Sequence, residues 1–331
     1  LAFRDIPLPF NSYVQMVGCY LPDTEIFTDK GWKRADSIDG TELIYSMNTE
    51  TGEAEFYPIK EKYEYDYEGF MYAIGGENGL LLSPEHKMFG YAMNTKKVFE
   101  FPIKDIFKQK EGYFVKKAKW SGGKVPSDFV YNKYRGNRWG KISVKETRTI
   151  KAKDWFEFLG WFISEGHLVK GNDYQIRITQ HKEEGRKKIE DVLMRCGFPI
   201  IHSGKQYVIK SKDIYSWLEK NCYDGEGFKS ENKVIPREIL ESAVEYSSVF
   251  LQSYLEGDGH LGEGNTYVAS TNSMGLVRGL DELGTKLGYD VYIGLHNYER
   301  TFDHTDGTSL TKIFTQYYVK FKHVYRGTNI K

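Results

Sequence analysis

Apolar and polar positions alternate in short runs through the first hundred residues. TEIFT (24–28), ELIYSM (42–47) and EAEFYPI (53–59) each read as a strand. Asp29-Lys30-Gly31, Asp39-Gly40 and Asn48-Thr49-Glu50-Thr51-Gly52 stand between or beside them as turn signals. No long 3.6-residue period occurs here, so this part predicts a compact all-β domain. From about residue 154 the period changes, and helical and strand patterns alternate in a series that occurs twice. The first series begins with the helix DWFEFLGWFISEG (154–166). Strands follow around HLVKG and YQIRIT, then a helix over 183–197, strands around PIIHSG and QYVIK, and a short helix over 213–220. The second begins with SSVFLQSYLEGDG (247–259). Strands follow around HLG and TYVAST, then a helix from Ser273 to Gly288, and strands around DVYIGLHN and TQYYVKFKHV. Such a duplication predicts an α+β half built as a pseudo-twofold pair of αββαββα units.

Composition narrows the class. The chain has 331 residues, 40% of them apolar and 28% charged, which suits several globular domains rather than a disordered or fibrous protein. No apolar run is long enough for a membrane span, and no basic segment followed by an apolar stretch marks a secretory signal. Three cysteines (Cys19, Cys196, Cys222) cannot build a disulfide framework, so a reducing, cytoplasmic setting is expected. The net charge of zero conceals a strong asymmetry. Residues 19–101 carry 8 basic and 16 acidic side chains, residues 102–153 carry 15 and 4, and residues 154–331 carry 22 and 25. In the middle block Tyr131, Tyr134 and Trp139 lie among Lys133, Arg135, Arg138, Lys141, Lys145 and Arg148. Basic residues interleaved with aromatics suit contacts to a nucleic acid, and the Gly and Asn among them predict a loop when unbound. A solvated basic loop is the alternative.

The two series open with helices that end alike. Phe158–His167 reads FLGWFISEGH and Phe250–His260 reads FLQSYLEGDGH. Each ends in a carboxylate followed by glycine, Glu165-Gly166 and Asp258-Gly259. The glycines are expected to take a left-handed cap. Gly160 and Ser253 both stand five residues before these acids, where small residues let two helices approach closely. Side-by-side packing would bring both acids to one end of the interface. Two acids held together need neutralising, and their oxygens suit Mg2+ and metal-assisted phosphodiester hydrolysis. An acid at a helix C-terminus also opposes the macrodipole, so its recurrence calls for a reason.

These motifs resemble those of the LAGLIDADG, or dodecapeptide, homing endonucleases, and the resemblance covers roughly Trp120 to the end. It implies a pseudo-dimer whose motif helices form the interface, Mg2+ at Glu165 and Asp258, and curved sheets that straddle double-stranded DNA. The implied activity is double-strand cleavage at a long specific site. Lys233, in KVIP, matches a lysine that in the family acts on the attacking water or the phosphate; a surface charge is the other reading. The second such lysine has only Lys320 and Lys322 as candidates.

The N-terminal part resembles something else. CYLPDTEIFTDKGWKRADSIDGTELIYSMN from Cys19 and NGLLLSPEHKMFGY (78–91) resemble the Hint fold of inteins. The resemblance implies that Cys19 is the nucleophile, that Gly18–Cys19 is the scissile bond, and that Ser83 and His86 assist. It also implies an extein host protein. The expected organisation is an extein remnant over 1–18 and a Hint domain over 19–110. A basic DNA-recognition linker follows over 111–153, then endonuclease repeats over 154–245 and 246–325, and a tail over 326–331. The sequence closes on HVYRGTNIK without the His-Asn pair and nucleophile of a complete intein, so a C-terminal splicing segment is expected to be missing or separate. A monomer is expected. The rival reading is a decayed endonuclease that serves as a nucleic-acid-binding scaffold, with self-processing as the main activity.

Overall fold

The computed structural model describes residues 2–3, 20–48, 53–74, 80–92, 97–108, 113–114, 119–120, 122–136, 142–171, 173–262, 266–303 and 309–323. The chain divides into two units, Leu1–Ser121 with Tyr325–Lys331, and Gly122–Val324.

The first unit is built of short strands. They are β1 (Ala2–Phe3), β2 (Glu25–Thr28), β3 (Gly31–Arg34), β4 (Leu43–Met47), β5 (Glu53–Pro58), β6 (Lys62–Tyr63), β7 (Tyr72–Ile74), β8 (Leu80–Leu82), β9 (Lys87–Ala92), β10 (Lys97–Pro102), β11 (Tyr113–Phe114) and β12 (Lys119–Trp120). The main sheet has the order β12-β5-β4-β2-β3, and a second has the order β10-β9-β11. Gly31 and Gly40 turn the chain with φ of 95° and 94°, a region open to glycine and strained for other residues. Alternation along β2, β3, β4 and β5 places Phe27, Trp32, Tyr45 and Phe56 together, and Trp120 of β12 joins Tyr45 and Phe56 with ring centres 5.8 and 5.2 Å away.

The second unit opens with a hairpin of β13 (Phe129–Gly136) and β14 (Ile142–Ile150). This corrects the expectation of a loop. Much of the basic segment is paired strand, because Phe129, Tyr131 and Ile150 alternate toward the core. Phe129 stacks on Trp155 with ring centres 3.9 Å apart, and Asp213 accepts hydrogen bonds from the backbone and side chain of Asn132. The unit boundary after Ser121 also places this hairpin with the α+β part.

Two repeats follow. The first runs α1 (Ala152–Glu165), β15 (Gly166–Val169), β16 (Gln175–Thr179), α2 (Glu183–Arg195), β17 (His202–Ser203), β18 (Gln206–Lys210) and α3 (Lys212–Asn221). A connecting stretch with α4 (Arg237–Leu240) leads to the second: α5 (Val244–Asp258), β19 (Gly259–Gly262), β20 (Thr266–Thr271), α6 (Met274–Lys286), β21 (Tyr289–Asp303) and β22 (Ser309–His323). Both sheets are antiparallel and both take the order first-second-fourth-third: β15-β16-β18-β17 and β19-β20-β22-β21. One apolar core joins the repeats, with Trp155, Phe158, Phe162, Phe250 and Tyr254 fully buried within it. The repeats differ in reach. β21 and β22 each run 15 residues, against 2 and 5 for β17 and β18. Among the described residues no helix is long and apolar enough to cross a membrane.

Candidate active site

Helices α1 and α5 pack directly on each other. The contact is tightest where a Cβ added to Gly160 would fall 1.9 Å from Ser253 Oγ and 2.6 Å from the Phe250 carbonyl oxygen. One turn further on, a Cβ on Gly257 would fall 2.2 Å from Ser164 Oγ. Counted back from Glu165 and Asp258, Gly160 matches Ser253 and Ser164 matches Gly257. Each small residue therefore meets its own counterpart, the signature of contact along a twofold. The second pair, Ser164 with Gly257, is not singled out by the sequence reading. Its signal was a small residue directly before each acid.

The chain leaves both helices through glycine, but not by a left-handed cap. Gly166 and Gly259 are extended, with φ of −98° and −92°. Glycine is needed there for space. A Cβ would fall 2.5 Å from Phe162 Cδ2 at the first and 2.3 Å from the Leu255 carbonyl oxygen at the second.

Glu165 and Asp258 thus end the paired helices together. Burial raises the Glu165 carboxyl above its usual range, against the pull of Gln180 and Lys233. Asp258 is pushed up to about 7 by desolvation and by repulsion from Glu165, against the attraction of Lys233. Its residue nevertheless stays open to solvent on one side. Lys233 is not a surface charge, since only 7% of it is exposed. Its Nζ donates to the Ile163 and Gly166 carbonyl oxygens, both at 2.7 Å, which neutralises the negative end of α1. Burial draws its ammonium down to about 8, while Asp258 and Glu165 hold it up.

Gln180 is a member of the site that the sequence reading missed. It is buried just before α2, and its Nε2 donates to Glu165 Oε1 at 3.0 Å. Its Oε1 accepts from the His181 and Lys182 amides, so the side chain is fixed at both ends. A polar residue at the end of a half-buried strand was the available signal.

Lys320 and Lys322, the other candidate lysines, lie on β22. They alternate with buried Val319 and Phe321 along β22 and are exposed on the open face of the second sheet. His260, Tyr292 and Gln316 share that face by register, as do Tyr318 and Lys320. The first sheet has a matching open face. There Arg177 donates to Gln175 and Gln206, and Gln206 donates to Thr179.

The expected DNA-binding set is divided. Lys133 lies on β13 two residues beyond Tyr131, on the same face, opposite Glu146 and half-buried. Arg148 bonds Glu146 and the Gly197 carbonyl, which ties β14 to the end of α2. Arg138 and Lys141 lie outside the described residues, as do the side chains of Arg135 and Lys145.

In the first unit, Ser83 and His86 bracket a turn closed by the His86 amide on the Ser83 carbonyl at 3.0 Å, and both are buried. The Tyr20 ring lies edge-on to His86 at 4.3 Å, and Tyr20 bridges to Leu82 of β8. The imidazole is therefore held beside the residue that follows Cys19. Gly18 and Cys19, and the tail over 326–331, lie outside the described residues. Cys196 and Cys222 are buried thiols whose ionisation burial pushes far up, so neither is a nucleophile.

No protein-family model matches the chain. Over 263 residues it is 26% identical to an ATP-dependent Clp protease proteolytic subunit of Chlamydomonas moewusii, a match covering 72% of this chain and 25% of that protein. Over 143 residues it is 29% identical to a DNA polymerase of Thermococcus hydrothermalis, covering 41% of this chain and 8% of that protein. The chain thus spans a quarter or less of the curated relatives it matches. A crystal structure of full-length DUF199/WhiA from Thermatoga maritima overlaps 52% of this chain and 51% of that one, with 12% identity and a TM-score of 0.33.

Proposed function

We propose that Gly122–Val324 is a LAGLIDADG-type homing endonuclease that cuts both strands of a long, specific DNA site. In the same reading the preceding unit is a Hint-type splicing domain, so the chain is the nuclease-bearing part of an intein. The observation that carries this is the pair of acids, Glu165 and Asp258. They end two helices that meet residue against counterpart, with the buried Lys233 ammonium acting on both. An ordinary structural interface has no use for two carboxylates whose charges burial and mutual repulsion disfavour.

Mg2+ fits this donor set. Two carboxylates, one of them open to solvent, offer hard oxygen ligands and leave room for water and phosphate oxygens, which is the coordination Mg2+ favours. Among the described residues no group of three or more His, Cys, Asp or Glu could hold a metal, so the ion would be shared with the DNA. When bound, Mg2+ would polarise the scissile phosphate and lower the pKa of the attacking water. The chain's own residues set the stage. Gln180 holds Glu165 in place, and Lys233 lowers the cost of keeping both acids ionised. The two open sheet faces present Arg, Gln, Thr, His and Lys side chains, the donors and acceptors that read base edges in a major groove.

The relatives' names favour a module that can sit inside other proteins. A protease subunit and a DNA polymerase share no named activity, yet each resembles this chain over a small part of its length. The two matched stretches together exceed the chain, so they overlap on it. In the first unit the proposed step is attack of the Cys19 thiolate on the Gly18 carbonyl carbon. A C–S bond forms, the C–N bond breaks, and His86 protonates the departing nitrogen.

The deciding experiment is cleavage of a genomic-fragment DNA library with Mg2+, against EDTA, with the new ends sequenced. Discrete ends with 3′ overhangs, lost in EDTA, are expected. Binding without cutting would instead favour a decayed nuclease serving as a scaffold.

A further inference from the structure

The segment that carries Lys233 is held from two sides. On one side Nζ reaches the end of α1. On the other, the Lys233 carbonyl and the side chains of Val234 and Ile235 lie against the first turns of α6. Ser273, fully buried at the N-cap of that helix, donates its Oγ hydrogen to the Lys233 carbonyl oxygen at 2.6 Å and accepts from the Leu276 amide at 3.1 Å. Its own amide is bound by Thr271 Oγ1 at 3.1 Å, so the hydroxyl has little freedom. Glycines bring the helix close. A Cβ on Gly275 would fall 2.6 Å from Val234 Cγ1 and 3.2 Å from the Lys233 carbonyl oxygen, and one on Gly279 would fall 3.0 Å from Ile235 Cγ1.

The first repeat uses the matching turn differently. Counted back from the starts of α2 and α6, Gln180 matches Thr271, and Lys182 matches Ser273. Gln180 reaches Glu165 directly, whereas Thr271 turns inward to the Ser273 amide. Both helix starts therefore feed the same pair of acids, one through a side-chain amide and one through a serine and a lysine.

We infer that Ser273, with Gly275, is the positioning element of Lys233. The N-terminal turn of α6 in the second repeat fixes the Lys233 backbone so that its ammonium spans the last turn of α1 in the first. A lysine has four rotatable side-chain bonds, so the placement of its Nζ depends on an anchored backbone. Assigning this arrangement a part in DNA cutting rests on the nuclease reading above; the positioning itself does not.

The full chain tests both. Lysine acetylation read by mass spectrometry should show Lys233 protected in the wild type. It should be labelled about fivefold faster in Ser273→Ala and Gly275→Ala, as expected for local opening, and protected again in Ser273→Thr, which keeps the hydroxyl. On a cleaved DNA target, Ser273→Ala should lower turnover about tenfold, the scale of a small misplacement, with DNA affinity unchanged. That loss should vanish in a Lys233→Met background. Unchanged labelling in folded Ser273→Ala and Gly275→Ala overturns the inference. So does an equal loss of turnover with and without Lys233, which would mean general packing. If Ser273→Ala fails to fold, Gly275→Ala and Ser273→Thr still decide. Increased labelling in a chain whose wild type cuts no DNA keeps the inference and removes the nuclease reading.

Discussion

Asp258 shows how one residue couples charge, stability and metal. Its carboxyl is pushed up to about 7, from an ordinary value of 3.8, by desolvation and by Glu165. Between those values the folded protein holds a proton that the unfolded chain has lost. Stability in EDTA should therefore fall as pH rises through that window, and the loss should be complete above about pH 7. A cation bound between the acids removes the repulsion. Thermal melts from pH 5 to 8 should show the wild type losing ground to Asp258→Asn in EDTA and recovering it with Mg2+, whereas Asp258→Asn should gain nothing from Mg2+. Equal Mg2+ shifts in both proteins would move the metal elsewhere. On DNA, Glu165→Gln or Asp258→Asn should abolish cutting and leave binding intact; wild-type cutting by Asp258→Asn would make the site assignment wrong. The acids themselves were legible in the sequence because a carboxylate at a helix C-terminus is unfavourable and recurs. Gln180 was not legible, because its role depends on a strand end that folds back beside α1.

At the scale of elements, the packing of α1 on α5 depends on absent side chains. In Gly160→Ala the new Cβ would collide with Ser253 Oγ and with the Phe250 carbonyl, at a cost of about 1–3 kcal/mol by overpacking. Adding Ser253→Gly removes the first clash but not the second, so denaturant unfolding should show partial recovery in the double variant. The hairpin of β13 and β14 separates two kinds of basic residue. Arg148→Ala should destabilise the chain by about 1 kcal/mol through the lost bond to Gly197. Lys133→Ala should leave stability alone and lower the salt dependence of DNA binding by about one charge. On the first sheet, Arg177→Ala should relax base preference by about 1–3 kcal/mol at one position of the target, read by sequencing bound DNA. The basic segment was misjudged as a loop because its Gly, Asn and charged residues mask the alternation of Phe129 and Tyr131, which only the core of the repeats makes meaningful.

For the whole molecule, the two units make different chemistry available within one chain. Gly122–Val324 holds both acids, Lys233, Gln180 and both open sheet faces, whereas Ser83 and His86 lie in the other unit. The fragment 122–324 should therefore fold and bind the same target as the full chain, measured by circular dichroism and DNA binding; a fragment that folds and binds no DNA would place recognition in the first unit. Two things were determined by the sequence alone. The change of period near residue 154 distinguishes short strands from alternating helices and strands, since periods of 2 and 3.6 residues cannot bury the same face, although the unit boundary itself falls after Ser121. The duplicated acid-glycine ending marks where α1 and α5 both stop, since local patterns repeat wherever a fold repeats. Tertiary structure decided the rest. Gly166 and Gly259 serve close approach rather than a left-handed turn, because the atoms they must avoid belong to the preceding turn. Lys233 is buried and Lys320 and Lys322 are exposed, although all three are lysines beside apolar residues. The difference lies in what packs on them: α6 and the end of α1 enclose the first, and among the described residues no buried core closes over the face that carries the other two. Burial and charge pairing are properties of contacts between distant segments, and no local pattern encodes them.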